Sequence, residues 1–177
     1  MLSSVAVLAA FPIAVATEPL QTWKEYSPPG AGFSVQLPAK PQQKTQASKA
    51  MKINSYSCAS KRQHLMIVFI ATYSEKSDQV EGLKRARAFA TGILSNLDSS
   101  APVGIPKNSK PAFMTRSGVT GEETVFSQFR NDVFGRLWVG YTDTQVFGLL
   151  AGIVAKSRET ANTSIDKFFG SFKLIKE

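Results

Sequence analysis

Residues 64–97, HLMIVFIATYSEKSDQVEGLKRARAFATGILSNL, change their hydrophobic period in mid-stretch. From Leu65 to Ala71 every side chain is apolar. The run is too short and too rich in β-branched residues for a helix, so it predicts a central strand covered on both faces. After Ser77, Asp78 and Glu81 form a D-x-x-E helix start. Val80, Leu83, Ala86, Ala90, Ile93 and Leu97 then recur at spacings of three and four, with Phe89 and Leu94 at the margins. Lys84 and Arg85 lie on the opposite side and Arg87 at the edge, which is an ordinary amphipathic pattern. A two-sided strand followed by a one-sided helix calls for a sheet with helical cover.

Outward from this stretch, Phe33, Val35 and Leu37 alternate with Ser34 and Gln36 in a strand that starts the sheet and is closed by Pro38. Residues 49–58 alternate less cleanly and predict a second strand. The run DSSAPVGIPKNSKPAF, residues 98–113, has three prolines and no period, and predicts a long surface loop. Strands are expected from Thr115 to Phe129 with a break at Gly121, from Arg136 to Thr142 and from Gln145 to Ala155, the last two as a hairpin turning near Thr142-Asp143-Thr144. A final helix opens at Ser157 and places Ala161, Ile165, Phe168 and Phe169 on one face. Short connections between successive strands make the sheet largely antiparallel, so the class is α+β, an antiparallel sheet flanked by helices.

The chain has 177 residues, with 43% hydrophobic and 19% charged. After a leader is set aside, that length fits one domain with a real core. Residues 1–16, MLSSVAVLAAFPIAVA, are uncharged, apolar and end in Ala14-Val15-Ala16, a small-x-small cleavage pattern, so they read as a signal peptide, although the usual basic n-region is missing. Residues 17–177 then form the single domain, periplasmic or secreted. Pro12 and the shortness of the run argue against a spanning anchor.

In an oxidising compartment the lone Cys58 allows no internal disulfide, and a single cysteine on a strand reads as a small buried hydrophobe. His64 is the one histidine; a hairpin would have to bring it to Cys58, and no orienting third residue is identifiable. One His and one Cys exclude the usual zinc ligand sets, and no cofactor is expected. No nucleophile-elbow, zincin or phosphate-loop motif is present. Glu122 and Glu123 are adjacent, so on a strand they point to opposite faces and cannot work as an acid–base pair. Catalysis is not expected.

Charge is uneven. From Tyr26 to Arg116 thirteen Lys or Arg face four acids, a net of +9, whereas from Ser117 onward seven basic residues balance seven acids. Between Tyr26 and Ser74 there is no acid at all. Lys40, Lys44, Lys49, Lys52, Lys61 and Arg62 are the candidate binding residues: a basic face for an anionic envelope partner or membrane surface, with export arguing against nucleic acid. Their spacing is too loose for a compact polybasic box. The alternative is a small-ligand or substrate-processing domain with a pocket lined by Trp138 and Tyr141. A monomer is expected.

Tyr26, Gly32, Phe33, Val35, Leu37, Pro38 and Lys40 form an aromatic, a Pro/Gly turn and a G-F-x-V-x-L-P-x-K run. This resembles the opening motif of PsbP-like domains, which include the exported bacterial DcrB-like proteins. The ending SIDKFFGSFKLI is similar to the closing helix and tail of such domains. The resemblance, extended by element order over most of residues 23–177, implies an antiparallel sheet between helices, an exported or membrane-extrinsic location, and action by binding or assembly. Pro41 stands where photosystem members carry tryptophan, and one histidine leaves little for their metal sites, so neither a photosystem role nor a metal ligand carries over.

Overall fold

A computed structural model describes residues 23–60, 64–100, 103–104, 111–128, 133–154 and 158–175. In chain order these form β1 (Lys24–Tyr26), β2 (Phe33–Leu37), β3 (Gln42–Ala47), β4 (Met51–Ser60), β5 (His64–Tyr73), α1 (Gln79–Ser100), β6 (Val103–Gly104), β7 (Ala112–Arg116), β8 (Val119–Gln128), β9 (Val133–Tyr141), β10 (Gln145–Val154), α2 (Arg158–Ser171) and β11 (Lys173–Leu174). The class is α+β.

The apolar run 65–71 lies inside β5, which hydrogen-bonds to β4 on one side and β10 on the other. The large sheet runs β3-β4-β5-β10-β9-β8, and both β6 and β7 pair with the outer edge of β8. Eight strands thus occupy seven positions, and every pairing is antiparallel. In β10, Phe147, Leu149, Ala151 and Ile153 join one buried cluster, while Val146 and Leu150 join the other. That alternation is why both faces need cover.

One face is covered by α1. Asp78 caps it: its Oδ1 accepts the Glu81 N–H at 2.8 Å, as the D-x-x-E pattern predicts. Ser77 N–H and Oγ both donate to the Asp143 carbonyl, which fixes the helix start against the β9–β10 turn. Ala86 and Ile93 are buried with Ile67, Phe69, Leu137 and Val139. Gly82 lets the first turn close down on Tyr141, since a Cβ there would lie 2.4 Å from a ring carbon. Val80, assigned by period to the apolar face, is 65% exposed, so the buried stripe of α1 begins after it, at Gly82.

The other face is covered by α2 together with a second, three-stranded sheet of order β1-β2-β11. The expectation that β2 starts the large sheet is therefore corrected: β2 is the middle of the small one. Phe33, Val35 and Leu37 are fully buried from there, the Phe33 ring meeting Tyr56 edge-on at 5.3 Å and Phe172 at 6.0 Å. Ser34 is buried as well, because β2 is covered on both edges by β1 and β11. Ile165, Phe168 and Phe169 of α2 fill the same cluster, as their spacing predicts, while Ser157 and the Ala161 side chain lie outside the described residues. Each such side chain is worth about 1.5–3 kcal/mol of apolar burial.

Two further sequence expectations change. The loop 98–113 contains the end of α1, the two-residue strand β6 and the start of β7. The expected break at Gly121 falls earlier: Ser117 and Gly118, with φ of 50° and 82°, make the turn between β7 and β8, and positive φ at both positions is the two-residue hairpin geometry. Gly121 stays in strand and serves Trp138. It pairs in register with Gly140, and the buried Trp138 indole lies across both, within 2.8 Å of where either Cβ would be. The indole N–H donates to the Met114 carbonyl at 3.0 Å, so the ring is buried with its one polar atom satisfied.

An alanine methyl at Gly121 would also meet the Val139 carbonyl at 2.4 Å, whereas at Gly92 on α1 nothing lies within 4 Å. Gly121→Ala is expected to destabilise by about 1–3 kcal/mol, and Gly92→Ala to stabilise by about 0.5–1 kcal/mol. Their urea midpoints should move in opposite directions; a neutral Gly121→Ala would show that the indole does not rest on the glycine pair.

Candidate functional site

The sequence nominated lysines, and the register of β3 and β4 places them. Lys44 pairs with Ser55 and Ala47 with Lys52. Ile53 packs toward α1 and Tyr56 toward α2, so alternation puts Lys44 and Ser55 on the α1 side and Lys52 on the α2 side. Lys49 lies in the turn between the two strands and Lys40 between β2 and β3, and all four are exposed. Lys61 and Arg62 fall outside the described residues. Lys44, Lys49 and Lys52 thus lie on the outermost hairpin, with Lys44 and Lys52 on its opposite faces.

Elsewhere several Arg and Lys side chains meet carboxylates. Arg87 on α1 holds Glu122 through three contacts of 2.6–3.2 Å, and this hydrogen-bonded carboxylate raises the guanidinium's pKa. Glu81 lies near Lys84 and Arg85, and Lys76 near Asp143. Arg85 also stacks on Tyr73 at 4.5 Å and donates to the Glu75 carbonyl. Glu122 and Glu123 do point to opposite faces, as adjacency on a strand requires.

Glu123 organises the strongest polar cluster, which sequence reasoning missed. It lies on the α2 side of β8, 8% exposed, with one oxygen 2.5 Å from Arg116 Nη2 and the other 3.3 Å from Arg136 Nη1. Arg136 Nη2 also pairs with Asp166 on α2. Both guanidiniums lie over the Phe169 ring, at 4.8 and 5.5 Å, and both Nε atoms are buried without a hydrogen-bond partner. Two cations and two anions close the cluster on itself and brace β7, β8, β9 and α2. A residue-type signal was available, since Arg116, Glu123 and Arg136 interrupt apolar strands, but their meeting depends on the β7–β8 turn.

Trp138 and Tyr141 do not line a common pocket. Trp138 is fully buried on the α2 side, whereas Tyr141 lies on the α1 side against Gly82. The β4–β5 hairpin sets Cys58 opposite Met66 and His64 opposite Ser60. Cys58 is 2% exposed, and burial pushes its thiol up against a weaker lowering by the Ala39 backbone, the reverse of an activated nucleophile. Burial likewise raises Tyr56 and Tyr73. Among the described residues, no three or more His, Cys, Asp or Glu gather as a metal site, and no helix is long and apolar enough to cross a membrane.

No family model and no curated protein matches the chain. Among solved structures, a crystal structure from Bacteroides thetaiotaomicron VPI-5482 is similar with a TM-score of 0.45 and 11% sequence identity; the match covers 88% of this chain and 49% of that one. The chain thus spans about half the length of that protein.

Two measurements probe these groups. Glu123→Ala leaves the part-buried Arg116 guanidinium without its carboxylate and Arg136 with Asp166 alone, and is expected to cost about 3 kcal/mol, more than replacing Arg116, Glu123 and Arg136 together by Met, Leu and Met. A triple variant less stable than Glu123→Ala would refute the cluster's self-contained balance. The folded chain also holds the Cys58, Tyr56 and Tyr73 protons to higher pH than the unfolded chain. Their contribution to stability is complete below the ordinary thiol value and falls as pH rises past about 9, through Cys58 first. Cys58→Ala should delay the onset of that loss in urea titrations between pH 8 and 11.

Proposed function

We propose that this domain is an exported, non-catalytic binding or assembly module of the cell envelope, and that it contacts an anionic partner through the lysine-bearing β3–β4 hairpin. The observation that carries this reading is the contrast in charge pairing. Glu81, Glu122, Glu123, Asp143 and Asp166 each face Arg or Lys, whereas Lys40, Lys49 and Lys52 stand exposed in a stretch of nearly fifty residues without one acid. A field of one sign at one edge attracts polyanions and orients their approach. The uncharged leader and the resemblance of the Gly32–Lys40 run to PsbP-like and DcrB-like domains support the compartment and the mode of action. The separation of Trp138 from Tyr141 leaves an aromatic pocket without support.

Such attraction is screened by salt. Retention on a polyglutamate matrix, and cosedimentation with vesicles containing phosphatidylglycerol, should weaken several-fold between 20 and 150 mM salt, as the Debye length shrinks from about 20 to 8 Å. Lys44→Glu/Lys49→Glu/Lys52→Glu should abolish both at either salt concentration. Retention that ignores salt and the triple reversal would refute the reading.

A further inference from the structure

β3 is the terminal strand of the large sheet and, among the described residues, pairs with β4 alone. Five of its six residues are exposed. The phase of its ladder follows from one bond: the Ser48 N–H donates to the Met51 carbonyl at 2.8 Å, so Ser48 turns its main chain inward. Antiparallel pairs alternate, so Gln46, Lys44 and Gln42 also turn inward, in line with the Ser55 hydroxyl donating to the Lys44 carbonyl at 3.3 Å. Gln43, Thr45 and Ala47 therefore direct their N–H and C=O groups away from the sheet.

Resting on the anionic-partner reading above, we propose that this edge takes up an extended acidic segment of a partner protein as an added β-strand. The main-chain groups of Gln43, Thr45 and Ala47 supply the ladder, and the lysines select the charge. On the α1 side, the side chain arriving opposite Lys44 is its direct cross-strand neighbour, a position where opposite charges stabilise and like charges repel. On the α2 side, the position opposite Ala47 looks across a single methyl toward Lys52, the register partner of Ala47. Two strand spacings make about 10 Å between main chains, within the joint reach of a lysine and a glutamate. Positions opposite 44 and 47 are three apart and so project to opposite faces, as the two lysines do. The recognised pattern is therefore acid-x-x-acid in an extended segment. Lys44 works against a second copy of this chain, since edge-to-edge pairing of two β3 strands brings like charges together. The other edge of the sheet differs in chemistry: there β7 exposes Phe113 and Met114.

The test uses the full chain and a fluorescein-labelled octapeptide, Thr-Val-Glu-Val-Thr-Glu-Val-Thr, with a lysine-for-glutamate version as control. Binding by fluorescence anisotropy is expected for the acidic peptide and at least tenfold weaker for the basic one. Gln43→Pro deletes one outward N–H while leaving the inward ladder to β4, and is expected to weaken peptide binding at least tenfold with polyglutamate retention unchanged. Amide exchange by NMR gives a reading independent of that variant: Gln43, Thr45 and Ala47 should become protected when the acidic peptide binds. Peptide binding that ignores Gln43→Pro, or that leaves those three amides unprotected, overturns strand addition while salt-sensitive matrix retention keeps the broader reading intact. Absence of acidic-peptide binding in the wild-type chain overturns strand addition as well, and loss of salt-sensitive matrix retention removes the reading beneath it.

Discussion

Two adjacent central strands that are apolar on both sides impose the main constraint on this molecule. β5 and β10 exchange a long antiparallel ladder and leave no polar face to present to water. The sheet must therefore be roofed twice, and the two roofs are built differently. α1 covers one side with a narrow stripe, held close by Gly82 on Tyr141 and by Phe89 against Gly148. On the other side α2 is joined by β1, β2 and β11, with Tyr26 of β1 and Phe33 of β2 meeting Tyr56, and Phe33 and Phe147 meeting Phe172.

Elements whose identity follows from their own hydrophobic period were legible in the sequence: β5 from its unbroken apolar run, α1 from its cap and stripe, α2 from Ile165, Phe168 and Phe169. Elements defined only by what they pair with were not. β3 reads QQKTQA and buries almost nothing, so no alternation marks it; it is a strand because β4 offers it hydrogen bonds. β7 hides in a proline-rich stretch for the same reason. Gly121 illustrates a subtler failure. Glycine in a strand pattern suggests a break, yet its role is to clear space for a tryptophan seventeen residues away, a need that appears only once β8 and β9 are in register.

The candidate site divides along the same line. Absence of acids between Tyr26 and Ser74 is visible in the sequence, and the exposure of Lys40, Lys44, Lys49 and Lys52 follows from it. Their distribution over two faces required the β3–β4 register. Conversely, Arg116 counts toward the basic first half until Glu123 is seen to absorb it. Counting charges along a chain thus overstates the positive surface where strands cross and understates its concentration where a hairpin lies alone.

The small sheet is closed by β11, the last of the described strands. β2 lies between β1 and β11; Gln36 N–H reaches the Ser171 hydroxyl at 2.9 Å, and Leu174 N–H reaches the Ser117 hydroxyl at 2.7 Å. β5 similarly waits for β10. A chain emerging N-terminus first from a ribosome therefore carries one edge of β5 unpaired until β10 arrives, and one edge of β2 unpaired until β11 does. Such distant pairing slows folding and prolongs the open state. The fold thereby couples closure of its core to the arrival of β10, α2 and β11, with β11 acting as the latch of the small sheet.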